Sequence, residues 1–81
     1  MEPEQERHLS HMALKLIIGK KKGPFTSKDK KLHITYDEWS DHLDVFHDNN
    51  LVFRQEMGKV ITCDKGEIWT RKLEEEYSKR S

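Results

Sequence analysis

The N-terminal part of the chain has the hydrophobic periodicity of an amphipathic α-helix. Its apolar residues recur at positions i, i+3, i+4, i+7 and i+8, on one helical face: Leu9, Met12, Ala13, Leu16 and Ile17. Glutamates precede this stretch and lysines follow it, an arrangement that the helix dipole favours. Gly19 and Gly23-Pro24 end the pattern. We therefore predict helix one over about residues 4–20.

A short second helix is predicted after the Gly-Pro pair. Thr26 or Ser27 can cap it, because a hydroxyl oxygen accepts a hydrogen bond from a free N–H of the first helical turn. Leu32 then supplies the inward-facing apolar side chain. These features place helix two over about residues 27–33.

The pattern that follows predicts a longer third helix. Residues 35–38 read Thr-Tyr-Asp-Glu, a capping box. Apolar residues then repeat at i, i+4 and i+7: Trp39, Leu43 and Phe46. Asn49-Asn50 ends the segment, because asparagine tolerates the left-handed conformation of a helix terminus. The predicted helix three covers about residues 36–49, and its spacing makes Trp39 a core residue.

A hairpin and a last helix complete the predicted elements. Residues 51–56 and 59–63 are two runs typical of strands, and Met57-Gly58 between them is a turn candidate. Helix four follows over about residues 65–79. Its apolar positions fall near one face, which makes Trp69 a second core tryptophan; they are Ile68, Trp69, Leu73 and Tyr77.

The order of these elements resembles a winged helix-turn-helix. Residues 43–52, Leu-Asp-Val-Phe-His-Asp-Asn-Asn-Leu-Val, are similar to the end of a third helix that enters the wing. Residues 60–66, Val-Ile-Thr-Cys-Asp-Lys-Gly, are similar to the second wing strand and the start of the last helix. Small archaeal, viral and phage winged-helix regulators share this pattern. The resemblance implies one α+β, mostly helical domain over residues 1–81, with a three-helix core, a β-hairpin wing and a C-terminal helix.

The composition indicates a small core. Leu, Ile, Val and Phe make up 18 of the 81 residues, just above the level at which disorder is the default. Chains of this length bury little surface, so a second copy often adds stability. We therefore expect a second copy of the chain as one partner, in a homodimer formed through the last helix with Tyr77 and a second apolar stripe on helix one, Leu14 and Ile18.

Several kinds of protein are excluded by the sequence. No apolar run is longer than that of Leu16-Ile17-Ile18, which is far too short for a membrane span, and the acidic N-terminus does not resemble a signal peptide. The single cysteine, Cys63, fits a reducing compartment. We expect a cytoplasmic protein, or one in the interior of a host cell if the chain is viral, without membrane association.

The formal net charge of zero hides a segregation of charge along the chain. Residues 1–35 have a net charge of +4, residues 36–50 of −5 and residues 51–81 of +1. The stretch from Lys20 to Lys31 alone contains six lysines and one aspartate. A basic segment is therefore followed by an acidic one.

The basic segment and the resemblance together predict DNA binding, in a transcriptional regulator. The resemblance implies that helix three lies in the major groove of double-stranded DNA. Lysines of the basic segment and cations of the wing would contact phosphates. Tyr36, in the first turn of helix three, is a candidate for base contact. The predicted DNA-binding residues are Lys20, Lys21, Lys22, Lys28, Lys30, Lys31, Tyr36, Arg54 and Lys59. A solvated basic face that balances the acidic helix is the alternative.

The acidic segment conflicts with major-groove binding and supports a second hypothesis. Helix three would carry five acidic groups and no Lys or Arg, so phosphates would repel it. In the alternative, the domain is an interaction module that binds a basic protein partner through this helix. The residues concerned are Asp37, Asp41, Asp44 and Asp48. A merely solvated acidic face is also compatible with the sequence.

Catalytic and metal-binding patterns are weak. His8 and His11 have i, i+3 spacing, but no companion Cys-x-x-Cys or His-x-x-x-His motif accompanies them. Cys63 lies in a predicted strand and is expected to be structural rather than reactive. We therefore predict no enzymatic activity, no cofactor and no metal.

Overall fold

A computed structural model describes residues 3–18 and 23–79. It begins with helix α1 (Pro3–Ile18) and ends with helix α2 (Ile68–Ser78). Between the helices lie five strands: β1 (Phe25–Thr26), β2 (Leu32–Asp37), β3 (His42–His47), β4 (Asn50–Glu56) and β5 (Lys59–Cys63). Neither helix is long and apolar enough to cross a membrane, as far as the described residues go.

The five strands form one antiparallel sheet in the order of the sequence, β1-β2-β3-β4-β5. The helices contact each other, and both lie against β2. The predicted fold class, a mostly helical winged helix-turn-helix with a three-helix core, is therefore wrong. The predicted hairpin is present as β4 and β5. The residue ranges of α1 and α2 nearly match those of the first and last predicted helices.

Predicted helix three is a β-hairpin instead. The residues from Leu32 to Asp37 alternate between apolar and polar, and so do those from His42 to Val45. This period of two places alternate side chains on opposite faces of a strand. The spacing of Trp39, Leu43 and Phe46 fits a helix equally well, and it was the basis of the incorrect prediction. Predicted helix two is likewise absent, because its residues form the β1–β2 turn and the start of β2.

Left-handed residues set the register of two tight hairpins. Asp48 and Asn49 have φ angles of 51° and 65° and join β3 to β4. Met57 and Gly58, with φ angles of 49° and 79°, join β4 to β5. Two-residue turns with two positive φ angles match the twist of the strands, and Asn, Asp and Gly adopt them most readily. Asn49 therefore lies in a hairpin turn and Asn50 begins β4, so the Asn49-Asn50 pair does not end a helix as predicted.

The core lies between one face of the sheet and the two helices. Central strand residues Ile34, Val45 and Phe53 are neighbours in register and fully buried. Trp69 of α2 packs beside Phe53, with ring centroids 6.0 Å apart. The residues of the predicted apolar face of helix one are buried too: Leu9, Met12, Ala13, Leu16 and Ile17. Of the proposed dimer stripe, Leu14 packs against this core.

An ion pair joins the β1–β2 turn to the last helix. Asp29 Oδ2 lies 2.6 Å from Lys72 Nζ, and its Oδ1 accepts hydrogen bonds from Ser27 Oγ and the Lys31 N–H. The hydrogen bond with Lys72, followed by those from Ser27 and Lys31, lowers the pKa of Asp29 well below its usual value of 3.8. The turn is therefore fixed against α2 when Asp29 is ionised.

Asp29→Asn is expected to lower the stability of the fold at neutral pH. Because the folded state depresses the pKa of Asp29, this carboxylate stabilises the protein above pH 3.8 and loses that effect as the pH falls toward the depressed pKa. The melting temperatures of the wild type and the variant should therefore converge below that pH. Thermal unfolding against pH measures this, with exposed Glu74→Gln as the control. A constant difference down to the lowest pH would contradict it.

Candidate functional site

Both described helices pack on the same face of the sheet, and the side chains of the opposite face fall into three rows across the strands. The strand register places Thr26, His33, Phe46 and Leu51 in one row at the end formed by the β1–β2 and β3–β4 turns. The middle row includes Asp44 and Arg54. The third row, at the opposite end, includes Asp37, His42, Glu56 and Lys59. The open face therefore changes character along the strands.

The first row forms an aromatic pocket next to lysines. The rings of His33 and Phe46 have centroids 6.2 Å apart, and both side chains are half-buried. Thr26 Oγ1 lies 2.8 Å from His33 Nδ1, which fixes the orientation of the imidazole ring. These rings line an open depression of about 290 Å³ whose residues are Lys30, Lys31, His33, Phe46 and Asn49. We call this depression the aromatic pocket.

No ion pair among the described residues neutralises the lysines beside the aromatic pocket. Lys28, Lys30 and Lys31 are exposed, and none makes an ion pair with the part of the chain that the structure describes. The aspartate between them, Asp29, is paired with Lys72. Asp48, on the adjacent turn, lies 3.6 Å from His47. We call these two adjoining turns, residues 27–31 and 48–49, the basic end.

Three other predicted DNA-binding residues, Tyr36, Arg54 and Lys59, do not join this cluster. Arg54 donates two hydrogen bonds to Asp44, at 2.9 and 3.2 Å, and this pairing raises the pKa of the guanidinium. Tyr36 donates its hydroxyl to Asp41 at 2.8 Å, which raises the pKa of the phenol. Lys59 begins β5 at the opposite end of the sheet. Lys20, Lys21 and Lys22 lie outside the described residues.

The predicted acidic helix is divided among three places. Asp37 and Asp41 lie at the opposite end of the sheet from Asp48. Asp44 is on β3 between them, in its pair with Arg54. Because these residues do not lie on one helix, they form no continuous acidic face of the predicted kind.

Asp37 and Asp41 instead organise a turn with an exposed tryptophan. Asp37 accepts hydrogen bonds from the Trp39 N–H and from Ser40 Oγ, both at 3.0 Å. The Trp39 side chain, predicted to lie in the core, is 97% exposed. The carbonyl oxygen of Asp41 accepts the N–H of Met57 at 3.0 Å, which joins this turn to the β4–β5 turn. We call these two turns, residues 38–41 and 57–58, the acidic end.

Cys63 is half-buried, and His11 packs against the last helix. Burial raises the pKa of the Cys63 thiol, which opposes formation of a thiolate nucleophile. Across residues 3–18 and 23–79, no three His, Cys, Asp or Glu side chains are placed to hold a metal ion. His11, one of the two histidines with i, i+3 spacing, instead packs edge-on against Tyr77 of α2.

The pocket lysines were among the predicted binding residues, but the rings beside them were not. His33 had no predicted role, and Phe46 was assigned to the core of a helix that does not exist. The alternation of residues 32–37 was the available signal, since it predicts His33 on the opposite face of a strand from Leu32 and Ile34. No protein-family model, curated protein or solved structure matches this chain.

Proposed function

We propose that this protein binds nucleic acid at its basic end, with a base stacked in the aromatic pocket. The observation that carries the proposal is the position of the His33 and Phe46 rings directly beside Lys30 and Lys31. Aromatic side chains stack on the faces of bases, while lysines neutralise the adjoining phosphates. Asn49 adds an amide that can hydrogen-bond a base edge.

A short single-stranded segment fits this surface better than a duplex does. Stacking on a side chain requires an unpaired base, and the pocket is large enough for few bases. The predicted binding of double-stranded DNA required helix three to lie in the major groove. The residues of that predicted helix form a β-hairpin instead. The middle row offers little additional positive charge to a bound nucleic-acid strand, because Arg54 already pairs with Asp44.

The test is the affinity of the full chain for fluorescently labelled oligo(dT) and oligo(U) as salt is raised, with a random duplex for comparison. Lys30→Gln/Lys31→Gln is expected to weaken binding and to flatten the salt dependence. Removing one lysine–phosphate interaction reduces the slope of log K against log salt by about 0.7 for single strands. Lys59→Gln is the matched control, because Lys59 lies at the opposite end of the sheet. Equal effects of both changes, or no binding at low salt, would contradict the proposal.

Asp48→Asn is expected to strengthen the same binding. Asp48 shares the β3–β4 turn with Asn49, so its carboxylate repels phosphates that approach the pocket. Asparagine keeps the left-handed backbone that this position needs. The gain should be seen in the same titrations and should disappear at high salt. Unchanged or weaker binding in low salt would count against a phosphate path over this turn.

A further inference from the structure

The acidic end presents two exposed apolar side chains on a fixed backbone. Trp39 is 97% and Met57 81% exposed, although the apolar content of the chain is low. The hydrogen bonds that Asp37 and Asp41 make hold both turns in place before any partner binds. Preorganised tryptophans surrounded by polar groups are typical anchors of protein interfaces.

The surroundings of Trp39 indicate the chemistry of its partner. Four carboxylates and one lysine belong to the acidic end and the strand positions beside it: Asp37, Glu38, Asp41, Glu56 and Lys59. A complementary surface therefore needs an apolar or aromatic depression with a basic rim. Anionic lipid and nucleic acid fail this requirement because both would be repelled.

The described part of this chain contains a surface with those properties, namely the aromatic pocket with Lys30 and Lys31 at its rim. We call the exposed Trp39 side chain on its turn the Trp39 tip. The tip and the aromatic pocket of one molecule cannot meet. They lie at opposite ends of β2, whose six residues at roughly 3.3 Å each separate them by about 17–20 Å.

We propose that the Trp39 tip of one copy binds in the aromatic pocket of a second copy. A pair joined by one such contact keeps one free tip and one free pocket, so association continues as a chain unless a reciprocal contact closes a dimer or further copies close a ring. One anchoring tryptophan buries about 150–250 Å², far below the area of a stable dimer interface. The association is therefore weak, reversible and sensitive to salt. If the proposed nucleic-acid site is correct, nucleic acid and the second copy compete for the same pocket.

Two complementary variants test this arrangement. Trp39→Ala removes the tip and leaves the pocket, whereas Lys30→Glu/Lys31→Glu reverses the rim charge and leaves the tip. Each variant alone is expected to sediment as a monomer at concentrations where the wild type associates. An equimolar mixture is expected to form a one-to-one complex that grows no further, with a blue shift of the Trp39 emission. Circular dichroism of each variant checks that it folds like the wild type.

Three results would overturn the inference. They are a wild type that stays monomeric at the highest accessible concentration, a variant that associates as the wild type does, and a mixture that forms no complex. The second result would instead indicate pairing through the edge strand β5, where Ile61 is exposed. Because Trp39→Ala leaves the pocket intact, its oligonucleotide affinity tests the nucleic-acid proposal separately, and either proposal can fail alone.

Discussion

Replacing Trp69 with alanine is expected to destabilise the fold severely, whereas the same change at Trp39 should leave its stability unchanged. Trp69 is 2% exposed, packs against Phe53 and donates its indole N–H to the Asp64 carbonyl oxygen at 3.1 Å. Truncation of such a residue costs about 3–5 kcal/mol. A chain of 81 residues has a total stability of roughly 4–12 kcal/mol. Trp39 lies outside the core, so its truncation removes no core packing.

Thermal and denaturant unfolding of the two variants measures this difference. The midpoint of Trp69→Ala should fall by at least about 10 °C, and that of Trp39→Ala by no more than a surface change does. Trp69→Phe provides an intermediate case, because it keeps an aromatic ring and removes the indole hydrogen bond. Comparable destabilisation by Trp39→Ala and Trp69→Ala would contradict the fold described, since both tryptophans would then be buried.

Truncation of Phe46 is expected to reduce oligonucleotide affinity more than any other single change at the pocket. Stacking of one base on an aromatic side chain contributes about 1–3 kcal/mol, which corresponds to a weakening of roughly 5- to 150-fold in Phe46→Ala. Unlike the lysine changes, this variant should keep the salt dependence of the wild type, because it removes no charge. Fluorescence anisotropy with labelled oligo(dT) measures both quantities.

Two further variants separate stacking from folding. Phe46→Leu keeps an apolar side chain over the sheet and removes the ring, so it should fold normally and still bind weakly. Tyr36→Phe is the control, because the Tyr36 hydroxyl is directed to Asp41 and its ring packs against the core. If Phe46→Leu bound as tightly as the wild type, the pocket would not be a stacking site.

The parts of the fold that the sequence predicted well are those with one dominant local signal. Helix α1 has five apolar residues at helical spacing, and the β4–β5 hairpin has Met57-Gly58 between two strand-like runs. Residues 27–49 carry two signals at once. The capping box and the spacing of Trp39 and Phe46 fit a helix, while the alternation of Leu32 to Asp37 fits a strand.

Tertiary context decides between those signals. When residues 32–37 and 42–47 form paired strands, Leu32, Ile34 and Val45 all face the helices. No helix over the same residues brings all three to one face. The lysines of the basic end could be found from their clustering alone. The aromatic pocket could not, because His33 and Phe46 become neighbours only when β2 pairs with β3 in the observed register.

Backbone amide shifts of the isotopically labelled full chain, recorded during titration with oligo(dT), test the proposed site most directly. The largest changes are expected at residues 28–33 and 46–49, the turns and strand ends around the pocket. The amide signals of the acidic end, residues 38–41 and 57–58, should not shift, except where oligo(dT) separates self-associated copies. Trp39→Ala removes that exception because it prevents the self-association. Changes centred on the acidic end in that variant, or spread evenly over the surface, would contradict binding at the aromatic pocket.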